Sequence, residues 1–188
     1  MRRSMDCSRT ILLNVSKRER DSSPCRRITQ KRAGTEILPL AELLEDALQF
    51  SAGGIERHGV EIVRDYAELP PVLVDRHKVV QILVNLISNA KHALADQPPV
   101  NKRLTLRLAR SGHAGAAITV SDNGLGIPAE NLPRIFEHGF TTRQGGHGFG
   151  LHSSANAARE MGGSLTARSD GPGRGADFIL ELPLQSPS

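Results

Sequence analysis

The sequence predicts an α+β chain, a two-layer α/β sandwich with a mixed sheet and its helices on one face. Three observations carry this. Apolar residues recur at helical spacing in three segments, and short runs of alternating apolar and polar residues lie between them. Two of the alternating runs are joined only by a Ser111-Gly112 turn region, which reads as a hairpin, so strands and helices do not alternate strictly and a doubly wound sheet fits less well. The chain has no Trp and one Tyr, so aliphatic side chains must fill the space between the layers.

Residues 1 to about 34 stand apart. They are rich in Arg and Ser, are broken at Ser22-Ser23-Pro24 and show no sustained period. Much of the excess behind the net charge of +4 lies here, so the basic balance belongs to an arm, read as solvated and poorly ordered. No aromatic residues interleave with these charges to stack bases, and a nucleic-acid partner is not expected. Cys7 and Cys25 lack metal-ligand spacing, and a reduced, cytoplasmic chain is the simple reading. No apolar run approaches the roughly 18–20 residues that span a bilayer, and the apolar run in the opening segment is too short for a signal peptide. Residues 35–188 are expected to form the folded domain.

From Pro39 to about Ala52, Leu40, Leu43, Leu44, Ala47 and Leu48 form one helical stripe, with Pro39 in the first turn and Gly53-Gly54 as the stop. Val60–Val63 and Val72–Val74 read as strands. Asp75 suits the cap of a helix over Arg76–Ala95, with Val79, Leu83, Leu86, Ala90 and Leu94 as its core stripe. Leu104–Leu108 and Ala116–Val120 form the hairpin. Residues 123–147 read as a glycine-rich loop with a short helix started by Pro128. A helix over Gly150–Met161 stops at Gly162-Gly163, and strands over Ser164–Ser169 and Asp177–Leu182 close the chain. There is no internal repeat.

Four stretches within this frame point to chemistry. On the Arg76–Ala95 helix, Gln81, Asn85 and Asn89 lie one turn apart beside the core stripe, with His92 three further on. A solvated face is one reading. The other is a site, because an amide supplies a neutral oxygen for a hard cation such as Mg²⁺ held mainly by phosphate and water. Asp122 shares a strand face with Ile118 and Val120, so its carboxylate points to the buried side, where it needs a donor. A turn aspartate before Asn123-Gly124 is the alternative. Gly124 and Gly126 follow it at a spacing that suits close approach to a flat ligand. Gly145, Gly146, Gly148 and Gly150 precede the last helix, where backbone N–H groups can bind an anion. They fit neither a Rossmann turn nor a P-loop, and a flexible linker is the other reading. Phe136 and Phe140 anchor the intervening loop and would place Thr141, Thr142 and Arg143 near phosphates, with Arg143 the cation for a γ-phosphate and His147 a second contact.

In this order, QILVNLISNAKHAL (Gln81–Leu94), DNGLGI (Asp122–Ile127), IFEHGFTTR (Ile135–Arg143) and GGHGFGLH (Gly145–His152) resemble the four nucleotide-binding boxes of the ATP-binding catalytic domain of sensor histidine kinases, the GHKL or Bergerat fold. The resemblance covers roughly Leu38–Leu184. It implies that Asn89 ligates Mg²⁺ with support from Asn85, and that Asp122 reads the adenine amine between Gly124 and Gly126. It also implies that Gly146, Gly148 and Gly150 hold the ATP phosphates, with His92, Ile127, Phe136, Phe149 and Leu151 completing the nucleotide-binding set. Ala176 stands where the last strand of that family commonly carries Thr, and His138-Gly139 where many kinases have Pro-Phe.

The function this implies is transfer of the ATP γ-phosphoryl group to a histidine. Catalytic work is assigned to Asn85, Asn89 and Arg143. None of the seven His is followed by an acidic residue, and His58, in Glu56–Val60, reads as a last-turn residue. The acceptor His domain and a response regulator are therefore expected in trans. Gyrase-type ATPases of the same superfamily place a water-activating Glu where this chain has Asn85. The alternatives are a GHKL serine kinase or ATPase, or a non-catalytic remnant that binds nucleotide or a partner.

Overall fold

A computed structural model describes residues 34–55, 59–95, 101–112, 114–143 and 146–184. The expected basic arm, both cysteines, His58 and Gly145 lie outside the described residues, Gly34 of the arm excepted. Ten elements follow in order: β1 (Thr35–Leu38), α1 (Leu40–Ile55), β2 (Glu61–Tyr66), β3 (Val72–Asp75), α2 (Arg76–Ala95), β4 (Arg103–Ser111), β5 (Gly115–Asp122), α3 (Gly150–Glu160), β6 (Ser164–Arg168) and β7 (Ala176–Pro183). No helix among the described residues is long and apolar enough to cross a membrane.

The main sheet has the order β2-β4-β5-β7-β6. β2 runs parallel to β4, and the other neighbours are antiparallel, which makes the sheet mixed as expected. Alternation sends Leu104, Leu106 and Leu108 of β4, Ile118 and Val120 of β5, and Phe178, Leu180 and Leu182 of β7 to one buried face. The helices cover that face. α2 is the central one, packed against α1, α3 and β5, while α3 also rests on β6. Its stripe of Val79, Leu83, Leu86, Ala90 and Leu94 is fully buried. The Asp75 carboxylate accepts the Lys78 N–H (3.2 Å) and caps α2 as expected.

Four details differ from the sequence reading. β1 lies outside the elements expected from the sequence; it pairs antiparallel with β3 in a separate two-stranded sheet. α1 continues through Gly53-Gly54 to Ile55, because glycine weakens a helix interior without forbidding it. The segment after Pro128 is a run of turns rather than a helix: Asn131 and Leu132 both donate to the Pro128 carbonyl, and Arg134 and Ile135 both donate to that of Asn131. β2, β3, β4, β5 and β7 each extend past the residues expected for them. The stop of α3 is as expected. Gly162, at φ +76°, sends its N–H to Arg159 O while Gly163 N–H reaches Ala158 O, a paired C-terminal closure that favours glycine at the left-handed position.

Candidate functional site

A cavity of about 490 Å³ opens between α2, the end of β5 and the start of α3. Its deep wall is set by strand register. Asp122 ends β5 opposite Leu104 of β4 and Ala176 of β7, both buried. The residue is only 8% exposed, yet it lines the cavity. One carboxylate oxygen, Oδ1, accepts the Gly124 N–H at 2.9 Å. Burial pushes the carboxyl up to about 6; the Gly124 N–H opposes this, the nearby Asp177 charge adds to it, and the Ala176 N–H opposes it again.

The turn after Asp122 is wedged against the helix layer. Leu125 N–H donates to Ala93 O of α2 (3.1 Å), and Gly175 N–H, from the β6–β7 connection, donates to Gly124 O (3.1 Å). A Cβ on Gly124 would stand 2.6 Å from Ala93 O, and one on Gly126 would run into the Gly171 carbonyl. Gly124 therefore lies behind the cavity wall, whereas Gly126 and Ile127 line it.

On α2, Asn85, Asn89, His92 and Ala93 face the cavity. Asn85 Nδ2 donates to Ser154 Oγ of α3 (3.0 Å), and its side-chain oxygen sits so close to Gly150 that a Cβ there would collide with it. This residue thus seats the first turn of α3 on α2. Asn89 Oδ1 accepts a hydrogen bond from Arg143 Nη1 at 3.3 Å. The His92 ring donates through Nδ1 to the Ser88 carbonyl.

The outer rim comes from two backbone segments. Thr141, Thr142, Arg143, Gly146, His147, Gly148 and Phe149 line it, and all but Gly148 are exposed. Thr141 Oγ1 accepts the Arg143 N–H (3.1 Å). Gly148, at φ +69°, lies so close to the backbone of Gly139 and Phe140 that no Cβ fits there, and its carbonyl accepts the Gly139 N–H (3.2 Å). Gly150 and Leu151 of the helix start also reach the cavity. Phe149, the residue before α3, makes no side-chain cap, so the N-terminal N–H groups have no side-chain acceptor from that position.

The structure thus brings the expected residues to one cavity, with two off its wall: Gly124, and Phe136, which packs against the core as an anchor. It adds Leu125, Asn131, Ile135, Phe140, Ala176 and Phe178. Ala176 and Phe178 face the site only because β7 pairs with β5 in this register. Asn131 comes from the run of turns after Pro128, where the sequence predicts a short helix.

The same architecture occurs in solved structures. The catalytic domain of histidine kinase ThkA superimposes with a TM-score of 0.70 at 24% identity, over 81% of this chain and 99% of that one. Full-length ShkA in complex with AMPPNP gives 0.71 at 23% identity, over 82% of this chain and 32% of that one. Among curated relatives, the two-component sensor PprA of Pseudomonas aeruginosa is 34% identical over 86% of this chain and 18% of its own length. The sensor histidine kinase ZraS of Escherichia coli K12 is 35% identical over 81% of this chain and 35% of its own length. The chain therefore spans about a third or less of these relatives. Its residues 74–186, which hold every cavity-lining residue named above, match the family described as "Histidine kinase-, DNA gyrase B-, and HSP90-like ATPase", and the chain belongs to that family.

Proposed function

We propose that residues 35–188 are the Mg-ATP-binding catalytic domain of a two-component sensor histidine kinase, and that they present the γ-phosphoryl group to a histidine of a phosphoacceptor domain. The observation that carries this reading is one cavity with a buried carboxylate at its deep end and a helix start lined by glycine backbone at its open end. The carboxylate suits the exocyclic amine of adenine, which can only donate. The helix start suits phosphate, because unsatisfied N–H groups and the helix dipole both favour an anion.

Within that reading, Asp122 binds the adenine amine and Gly126 and Ile127 border the ring. Gly146, Gly148 and Gly150 offer backbone to the phosphates, and Thr141, Thr142 and His147 contact them from the rim. Arg143 supplies a cation at the γ-phosphate. Asn85 acts from the cavity wall, by holding α3 through Ser154. Asn89 is the residue that would hold Mg²⁺: its Oδ1 faces the cavity and already attracts a guanidinium, as a hard neutral oxygen should. Bound Mg²⁺ would offset the negative charge of the phosphate oxygens. The protein then positions the γ-phosphoryl group in line with an incoming imidazole nitrogen; a P–N bond forms, the bond to the ADP oxygen breaks, and the ring gives up a proton. Among the described residues that line the cavity, Asp122 is the sole carboxylate, and it stands at the adenine end. That distribution favours transfer over hydrolysis. A cytoplasmic location, where Mg-ATP is held, and a response regulator as the next acceptor complete the proposal.

A fluorescent adenine nucleotide should bind with Mg²⁺, and Asp122→Ala should abolish binding. With γ-labelled ATP and an added histidine phosphoacceptor domain, acid-labile label should appear on that domain. Equal nucleotide binding in the variant would remove Asp122 from the site, and label that survives acid would move the chain to the serine kinases.

A further inference from the structure

Three histidines cluster beside the cavity without all lining it. His138 lies in the turn after Glu137, His147 in the glycine-rich segment, and His152 in the first turn of α3. The His138 ring meets Phe149 at 4.9 Å and the edge of His152 at 5.2 Å, with an 88° angle between the two imidazoles. His147 stacks on Phe149 at 6.3 Å. The cluster is not placed as a metal site: among the described residues no group of three His, Cys, Asp or Glu could hold an ion.

His152 is tied at both nitrogens. Its Nδ1 lies 3.0 Å from the Phe136 carbonyl, which can only accept. Its Nε2 lies 3.0 Å from Asn156 Nδ2, which can only donate. The amide of Asn156 is oriented independently, because Arg159 Nη1 donates to its Oδ1 at 3.0 Å. Hydrogen bonds therefore run in one direction, from Arg159 to Asn156 to His152 to the Phe136 carbonyl, and they set the tautomer with the proton on Nδ1. This joins the segment before Gly139 to α3. Gly139 in turn donates to Gly148 O, and Gly148 packs on the backbone of Gly139 and Phe140.

We propose that His152 is a positioning residue for the phosphates: by holding the Phe136 carbonyl to α3, with His138 packed on its edge, it keeps Gly148 and the Thr141–Arg143 rim where an anion is bound. This rests on the reading of that rim as the phosphate end. Neither His138 nor His152 lines the cavity, so each acts through the backbone it holds.

Mg-ATP and adenosine affinities, with melting temperature, should be measured for the wild-type chain and for His152→Leu, His152→Asn and His138→Ala. Loss of one such hydrogen bond should weaken Mg-ATP binding by about 2- to 10-fold in His152→Leu and leave adenosine binding unchanged. His152→Asn keeps a donor for the Phe136 carbonyl and should recover most of the loss. His138→Ala, at an exposed position, should shift the same ratio less and carries the comparison if His152→Leu does not fold. Unchanged Mg-ATP affinity, or a parallel fall for adenosine, would overturn the proposal. A wild-type chain that binds neither ligand would instead sink the nucleotide reading on which it stands.

Discussion

Replacing Asp122 by Asn separates two consequences of one buried carboxylate. Its carboxyl titrates near 6 in the folded chain, against 3.8 for the free side chain. The folded state therefore holds the proton more tightly. Stability from the protonated form is complete below about 3.8 and is lost as pH rises through about 6. The rise from 3.8 to about 6 corresponds to about 3 kcal/mol that the ionised carboxylate costs the empty protein at neutral pH. Asn carries no charge and keeps an oxygen for the Gly124 N–H. Asp122→Asn should then be more stable than wild type by at most about 3 kcal/mol at pH 7.5, or roughly 6–12 °C in Tm for a chain of this size. At pH 5 the gain should shrink to about half, because the wild-type carboxyl is by then mostly protonated in the folded state. Thermal melts of both proteins without nucleotide, at the two pH values, test this. Nucleotide affinity should move the opposite way, falling more than about tenfold, since an amide NH2 would face the adenine amine. A stability gain that is absent, or equal at both pH values, would refute burial as the cause of the raised pKa.

Three further outcomes follow from the same geometry. Wild-type affinity for adenine nucleotides should weaken by about tenfold per pH unit below about 6, the proton competing with the adenine amine, while Asp122→Asn should lack that part of the slope in parallel titrations. Gly150→Ala places a methyl against the Asn85 side chain; it should destabilise by about 1–3 kcal/mol and reduce ATP binding more than adenosine binding, as read by denaturation and calorimetry. Withdrawal of Mg²⁺ with a chelator should weaken ATP binding and leave adenosine affinity unchanged, and equal losses for both ligands would remove Asn89 from the role of metal ligand.

The parts of this fold that are visible in the sequence are those set by local periodicity. The core stripe of α2 and the alternation in β4, β5 and β7 follow from which residues must be buried, and burial alone places Asp122 on the inner face. β1 has no such signal. Ile37 remains 52% exposed, and the strand exists because β3 pairs with it from more than 30 residues away in the chain. The run after Pro128 carries a helix-start signal, yet the chain there bends to bring Asn131, Ile135 and Phe140 to the cavity. Within the site, the spacing of Asn85 and Asn89 places both on one helix stripe. It does not reveal that Asn85 is engaged by Ser154 while Asn89 meets Arg143, a difference set by where α3 docks. Ala176 and Phe178 likewise depend on strand register, which a single strand does not encode.

The two ends of the cavity are built by opposite physics, and that asymmetry bears on the reaction. At the deep end a carboxylate is buried at an energetic cost, fixed by strand pairing and by backbone donors, so recognition there is prepared before a ligand arrives. At the open end Thr141, Thr142, Arg143, Gly146 and His147 are exposed, and the Arg143 guanidinium reaches across to Asn89 Oδ1 at 3.3 Å. An enzyme that activates water gains from closing its phosphate end around a base. One that hands a phosphoryl group to another macromolecule must leave that end accessible, because the nucleophile arrives on a partner's surface. In the proposed function, the deep end binds adenine without restricting the acceptor. On that proposal, specificity for the acceptor is left to whatever surface docks beside Thr141–Arg143 and Gly146–Phe149.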